Sequence, residues 1–165
     1  MERSGGKVKR LEQLNEDQLK KFAEKLAQVM KRGLILLIGQ LGAGKTTFVK
    51  GLAKGLGIEE KMVRSPTFVI MNVYQGTQVL YHVDLYRIDD VNELFYIGIE
   101  DALDDEGIVA VEWADLFPEL WIDVPRIEVK IEVRSENERD LVLREVEEEG
   151  VISETIRRWE KERTR

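Results

Sequence analysis

The stretch Gly39–Thr47, GQLGAGKTT, constrains this chain more than any other. Gly39, Gly44, Lys45 and Thr46 meet the pattern G-x-x-x-x-G-K-[ST] in full. The run before it, Leu34 to Ile38, is continuously apolar, as a strand buried on both faces is. The run after it, Thr46 to Gly57, places Phe48, Val49, Leu52 and Ala53 at helical spacing. Glycines let the chain curl tightly and approach an anion closely. The curl turns backbone N–H groups inward, and the helix N-terminus adds partial positive charge. A phosphate group is therefore the expected ligand of Gly39, Gln40, Leu41, Gly42, Ala43, Gly44, Lys45, Thr46 and Thr47. Lys45 is expected to reach the β- and γ-phosphates, and Thr46 to offer its hydroxyl to Mg²⁺. The motif admits GTP as readily as ATP.

The rest of the chain reads as the α/β domain around such a loop. Lys7 to Gln13 is expected as a short edge strand. Asn15, with Gln18 three residues on, reads as a capping box. Leu19, Phe22, Ala23, Leu26, Ala27 and Met30 follow at helical spacing, and Lys31 to Gly33 closes that helix. Phe68–Tyr74 and Val79–Tyr86 flank Gln75-Gly76-Thr77 as a hairpin. Asp89 to Glu106 is acidic and mostly helical, and Gly107 to Trp113 is a second buried strand. Arg126 to Arg134 alternates, with Ile127, Val129, Ile131 and Val133 on one face, and the DLVLREV run returns antiparallel to it. The expected fold is a P-loop NTPase-like three-layer α/β sandwich with a mixed, partly antiparallel sheet. We read residues 1–165 as one domain, ending in a helix and basic tail over 151–165.

Two acids end apolar strands, Asp84 after VLYHV and Glu112 after IVAV. Ligands gather at the carboxyl ends of strands in open α/β sheets, so both are expected to converge on Thr46. His82 leaves the same strand face as Asp84. It reads first as a packed strand residue and second as a partner of the neighbouring acids. Trp113 either stacks on a base or partner or fills the core.

Composition removes several chemistries. No cysteine is present, which excludes disulfides and thiolate metal sites, and a single histidine excludes multi-histidine sites. The net charge of −7 offers no general basic face for nucleic acid. Only Arg157, Arg158, Lys161, Arg163 and Arg165 cluster positive charge, on a helix that Ile152, Ile156 and Trp159 are expected to dock; the tail reads first as a solvated, partly self-paired face and second as a contact for tRNA or an acidic partner surface. No apolar run is long enough to span a membrane or begin a secretory signal, and a soluble cytoplasmic protein that binds no DNA is expected.

Taken in order, GQLGAGKTTFVKGLAKGLG, SPTF (Ser65–Phe68), YHVDLYRI (Tyr81–Ile88), IGIED (Ile97–Asp101) and VEWADLFPE (Val111–Glu119) resemble the TsaE family, formerly YjeE, of small bacterial P-loop ATPases. Gln40 departs from the acid usual there. The resemblance implies ATP and Mg²⁺ as ligands and a part in making threonylcarbamoyladenosine beside the tRNA anticodon. It implies work with a TsaB–TsaD heterodimer, whose complex ATP hydrolysis resets between turnovers, so tRNA is met mainly through that complex. Carried over by residue, Glu112 is the metal-side acid with Thr46, Asp84 supports hydrolysis, Thr67 senses the γ-phosphate, and Trp113 is the tryptophan beside the acid. The acidic 89–106 segment suits docking on a basic protein surface. The residues alone also allow a small-molecule kinase or a nucleotide-gated binding module. A kinase would need a lid with several arginines, whereas Lys61, Arg64 and Arg87 are the only basic residues between the P-loop helix and the last strands. A regulatory GTPase fits less, since Asp104–Gly107 precedes a strand and no N-K-x-D run is present.

Overall fold

The computed structural model describes residues 8–64, 70–96 and 98–163, without the side chains of residues 95 and 96. Its centre is a seven-stranded sheet in the order β1-β7-β6-β2-β5-β4-β3. The strands are β1 (Val8–Leu14), β2 (Gly33–Ile38), β3 (Met71–Gln75), β4 (Val79–Asp84), β5 (Ile108–Glu112), β6 (Arg126–Ser135) and β7 (Glu138–Val146). β6, β2, β5 and β4 run parallel, and β7 and β3 are antiparallel to their neighbours. The expected mixed sheet is thus present, with β1 at one edge.

Strand periodicity sorts the core into two layers. Ile35, Leu37, Leu80, Ile108, Ala110, Ile127, Val129 and Ile131 join one cluster with α1 (Glu16–Met30), α2 (Lys45–Gly55) and α5 (Val151–Arg163). Leu34, Leu36, Val83, Val109 and Val111 face the other way, toward Leu94 of α3 (Asn92–Tyr96), Ile99 and Ala102 of α4 (Ile99–Asp104), and Trp121. The outer faces of β6 and β7 carry an ion-pair ladder instead. Glu128 bridges Arg126 at 2.8 Å and Arg144 at 3.2 Å.

Local signals in the sequence hold. Asn15 and Gln18 form the capping box, and the six expected apolar residues of α1 are buried. The helix closes through Lys31 at φ 63°, one residue after Met30. α1 and α2 approach closely because Gly51 and Gly55 lack side chains. A Cβ on Gly51 would lie 2.4 Å from the Lys20 carbonyl, and one on Gly55 2.4 Å from that of Glu24. Val133 departs from its expectation. It is 41% exposed, paired with Arg139 next to the turn that closes the β6–β7 hairpin.

Candidate functional site

The site forms where β2, β5 and β4 end side by side. Leu37 is level with Glu112, and Glu112 is level with Asp84, across parallel pairs. Even-numbered residues of β4 and β5 point to the α2 face. The same parity that buries Leu80, Ile108 and Ala110 under α2 therefore aims His82, Asp84 and Glu112 at the start of that helix.

The glycine loop enters α2 through Gly44 at φ 113°, with Gly42 at φ 78°, conformations that L side chains rarely adopt. Lys45 Nζ donates to the carbonyls of Gly39 at 2.5 Å and Gln40 at 2.9 Å. It also lies 3.9 Å from the centre of the Trp113 ring. Burial lowers the Lys45 pKa from its usual range, against the pull of Glu112, Asp115 and Asp84. A cation so desolvated is a strong attractor for an anion that replaces its lost water.

Thr46 Oγ1 donates to Glu112 Oε2 at 3.0 Å. The same oxygen hydrogen-bonds His82 Nε2 at 2.5 Å, and that imidazole is fully buried. His82 is thus more than a packed strand residue, contrary to the first expectation, because its strand lies beside β5 with Glu112 on the same face. Its Nδ1 is buried without a hydrogen-bond partner among the described residues. Asp84 Oδ1 accepts from the Tyr86 N–H at 2.9 Å. Desolvation raises the Asp84 pKa, with nearby Glu112 adding to the rise and the Tyr86 N–H opposing it.

Trp113 takes the second of its expected places, in the core, and its ring also meets two residues of the site. It packs against the second core cluster, and its ring meets Lys45 on one side and Tyr86, 4.9 Å between centroids, on another. Its backbone sits at φ 59°. A non-glycine residue held there costs on the order of 1–3 kcal/mol, and the turn it makes swings the ring beneath the lysine.

Two clefts meet at the loop. One, of ≈ 490 Å³, is bounded by Lys45, Thr46, Asp84, Glu112, Trp113 and Arg87. The other, of ≈ 610 Å³, lies between Asn15–Lys20 at the start of α1, Gly42–Gly44 of the loop, and Asn137 and Arg139 of the β6–β7 turn. Gly42, Gly44 and Thr47 border both. Thr67 lies outside the described residues, as do the rest of SPTF and Arg165. Sequence reasoning missed Tyr86 and Arg139. Tyr86 stood two residues after Asp84 in a quoted motif, whereas nothing local marks Arg139.

The described oxygens suit a hard divalent cation, since a hydroxyl and a carboxylate face each other at 3.0 Å. Among the described residues no three His, Cys, Asp or Glu side chains cluster as a metal cage. An ion here would be shared between Thr46, Glu112 and phosphate oxygens.

Comparison with known proteins gives one answer. The family profile described as threonylcarbamoyl adenosine biosynthesis protein TsaE matches residues 13–141. A tRNA threonylcarbamoyladenosine biosynthesis protein TsaE from Aquifex aeolicus is 43% identical over 129 residues, 76% of this chain and 87% of that one. The proteins of that name from Bacillus subtilis and Rickettsia felis are each 39% identical, covering 78% and 76% of this chain and 80% and 73% of theirs. The crystal structure of YdiB from Bacillus subtilis superposes with a TM-score of 0.71 at 30% identity, covering 95% of this chain and 97% of that one. No helix among the described residues is long and apolar enough to cross a membrane. With fold, loop and sequence in agreement, the chain belongs to the TsaE family of tRNA threonylcarbamoyladenosine biosynthesis.

Proposed function

We propose that this chain is a single-domain, cytoplasmic Mg²⁺-dependent ATPase that drives repeated turnovers of a TsaB–TsaD heterodimer in tRNA threonylcarbamoyladenosine synthesis. The observation that carries the reading is the convergence of Thr46, Glu112 and Asp84 on one side of the glycine loop. The phosphates of ATP lie over Gly39–Thr47, and the nucleoside extends into the cleft bounded by α1 and the β6–β7 turn.

In this reading Lys45 leaves the Gly39 and Gln40 carbonyls for the phosphate oxygens, which lie on the N-terminal end of α2. When bound, Mg²⁺ supplies charge that offsets the triphosphate. Thr46 and Glu112, which lie in hydrogen-bond contact, would hold it, and His82 fixes the Glu112 carboxylate from behind. Asp84, with its raised pKa, orients the attacking water and accepts its proton. Thr67, by its place in SPTF, senses the γ-phosphate.

The acidic residues of the 89–106 segment suit a basic partner surface, and tRNA is reached through the complex. The basic end of α5 is largely engaged within the chain. Arg157 and Arg158 both bind Glu154, and Arg163 stacks on Trp159.

The experiment is ATP turnover by Glu112→Ala and Asp84→Ala, alone and with TsaB–TsaD, followed by multi-turnover tRNA modification. Each variant is expected to lose at least ~10-fold in turnover, the scale of one transition-state interaction of ~1.4 kcal/mol, with its fold retained. Parental rates in both would overturn the site.

A further inference from the structure

Arg139, near the start of β7, reaches across to the glycine loop. Its Nε donates to the Ala43 carbonyl at 2.8 Å and its Nη2 to that of Gly42 at 3.3 Å. Its Nη1 donates to the carbonyls of Ser135 at 2.9 Å and Glu138 at 3.0 Å, and Glu136 lies at 3.4 Å. One guanidinium therefore ties the crest of the loop to the β6–β7 turn. Arginine suits this because its five N–H donors sit in a rigid planar fork and its charge is permanent.

The peptide bond gives the contact a consequence. In a planar trans peptide the C=O of one residue points opposite to the N–H of the next. Drawing the Ala43 carbonyl toward Arg139 turns the Gly44 N–H the other way. Glycine at φ 113° does little to fix that orientation itself. The Arg139 contact bears on it from outside the loop. A second point of support lies on the same half of the sheet. A Cβ on Gly39 would fall 2.7 Å from the Ile131 carbonyl of β6, so the loop begins pressed against that strand.

We propose that Arg139 is a positioning residue for phosphate binding. It sets the Ala43–Gly44 peptide from outside the motif and makes the antiparallel β6–β7 hairpin a working part of the nucleotide site. This rests on the P-loop reading given above.

The test uses binding rather than turnover. ADP and inorganic pyrophosphate are titrated calorimetrically against the full chain, Arg139→Ala and Arg139→Lys. Arg139→Ala is expected to weaken both ligands by the same factor, at least ~10-fold, the scale of one lost charge-assisted hydrogen bond. Arg139→Lys is expected to recover only part, since a single ammonium nitrogen lacks the planar fork whose separate nitrogens reach the loop and the turn together. The ¹⁵N–¹H resonances of Ala43 and Gly44 should move in both variants while those of the β3–β4 hairpin stay. Loss for ADP with pyrophosphate unchanged would overturn the proposal, because Arg139 would then serve the nucleoside alone. Unchanged affinity for both ligands would overturn it as well. If Arg139→Ala does not fold, the same comparison on Arg139→Lys decides. Failure of the parent chain to bind either ligand would instead overturn the P-loop reading itself, and this proposal with it.

Discussion

His82 Nε2 stands 2.5 Å from Glu112 Oε2, and Thr46 Oγ1 reaches the same oxygen at 3.0 Å. Two hydrogen bonds on one carboxylate oxygen fix the carboxylate plane. No described hydrogen bond goes to Oε1. In the proposed mechanism that plane sets where the metal-side oxygen points. His82→Leu comes close to the imidazole in volume and removes the bond. It is expected to lower turnover by ~10-fold, about 1.4 kcal/mol, while ADP affinity stays within ~2-fold. Steady-state ATPase and ADP titration on the same preparation separate the two. A matching loss of ADP affinity would assign His82 to packing instead.

The Lys45–Trp113 contact offers an optical reading of phosphate binding. Trp121 and Trp159 are 3% and 2% exposed, so Trp113 is the tryptophan whose surroundings a ligand changes. Binding draws Lys45 Nζ away from a ring centre 3.9 Å distant. ADP is expected to alter tryptophan emission in the parent chain and not in Trp113→Phe. An equal change in both would place the response elsewhere.

Lys45→Ala removes the charge that meets the phosphates. Loss of one charge-assisted contact, about 1.5–3 kcal/mol, corresponds to a roughly 10- to 150-fold loss of nucleotide affinity. Titration with a fluorescent ATP analogue measures it, and an unchanged dissociation constant counts against the loop as the phosphate site.

Gly51 tests the helix pairing that supports the loop. An added Cβ would meet the Lys20 carbonyl at 2.4 Å and Ala23 Cβ at 2.7 Å. Both helices would have to part. Gly51→Ala is expected to destabilise the chain by roughly 1–3 kcal/mol, the usual cost of overpacking, despite alanine's better helix propensity. Denaturant unfolding reads it directly, and a stabilised variant would show that α1 and α2 are not so close.

Asp140 gives the antiparallel half a pH dependence. The Gln13 N–H holds its carboxyl below the ordinary 3.8, and Arg134 and Arg10 add to the shift. A carboxyl with a depressed folded pKa adds stability that is complete above the unfolded value and is lost as pH falls through the folded one. Unfolding midpoints should therefore fall as pH drops below about 4. Asp140→Asn should be less stable near neutrality and show a flatter acid limb. An identical acid limb in both forms would remove Asp140 from this account.

The sequence by itself determined the loop, the two acids and the elements around them. These signals are local: Asn15 with Gln18 sets a cap, Phe48, Val49, Leu52 and Ala53 set a helical face, and IVAVE buries all five of its residues. A continuous motif also needs no partner to be legible, which is why the family was visible before the fold. The convergence of Asp84 and Glu112 on Thr46 was expected from strand ends, but the tertiary structure decided which further groups join them. His82 and Glu112 are 30 residues apart, and Arg139 and Ala43 are 96 apart. Their meeting depends on sheet order and on register, where a shift of one residue turns a side chain to the opposite face. The segment holding His82 gave its strand face but not Glu112 as its partner, and nothing in the segment holding Arg139 encodes the glycine loop as a neighbour.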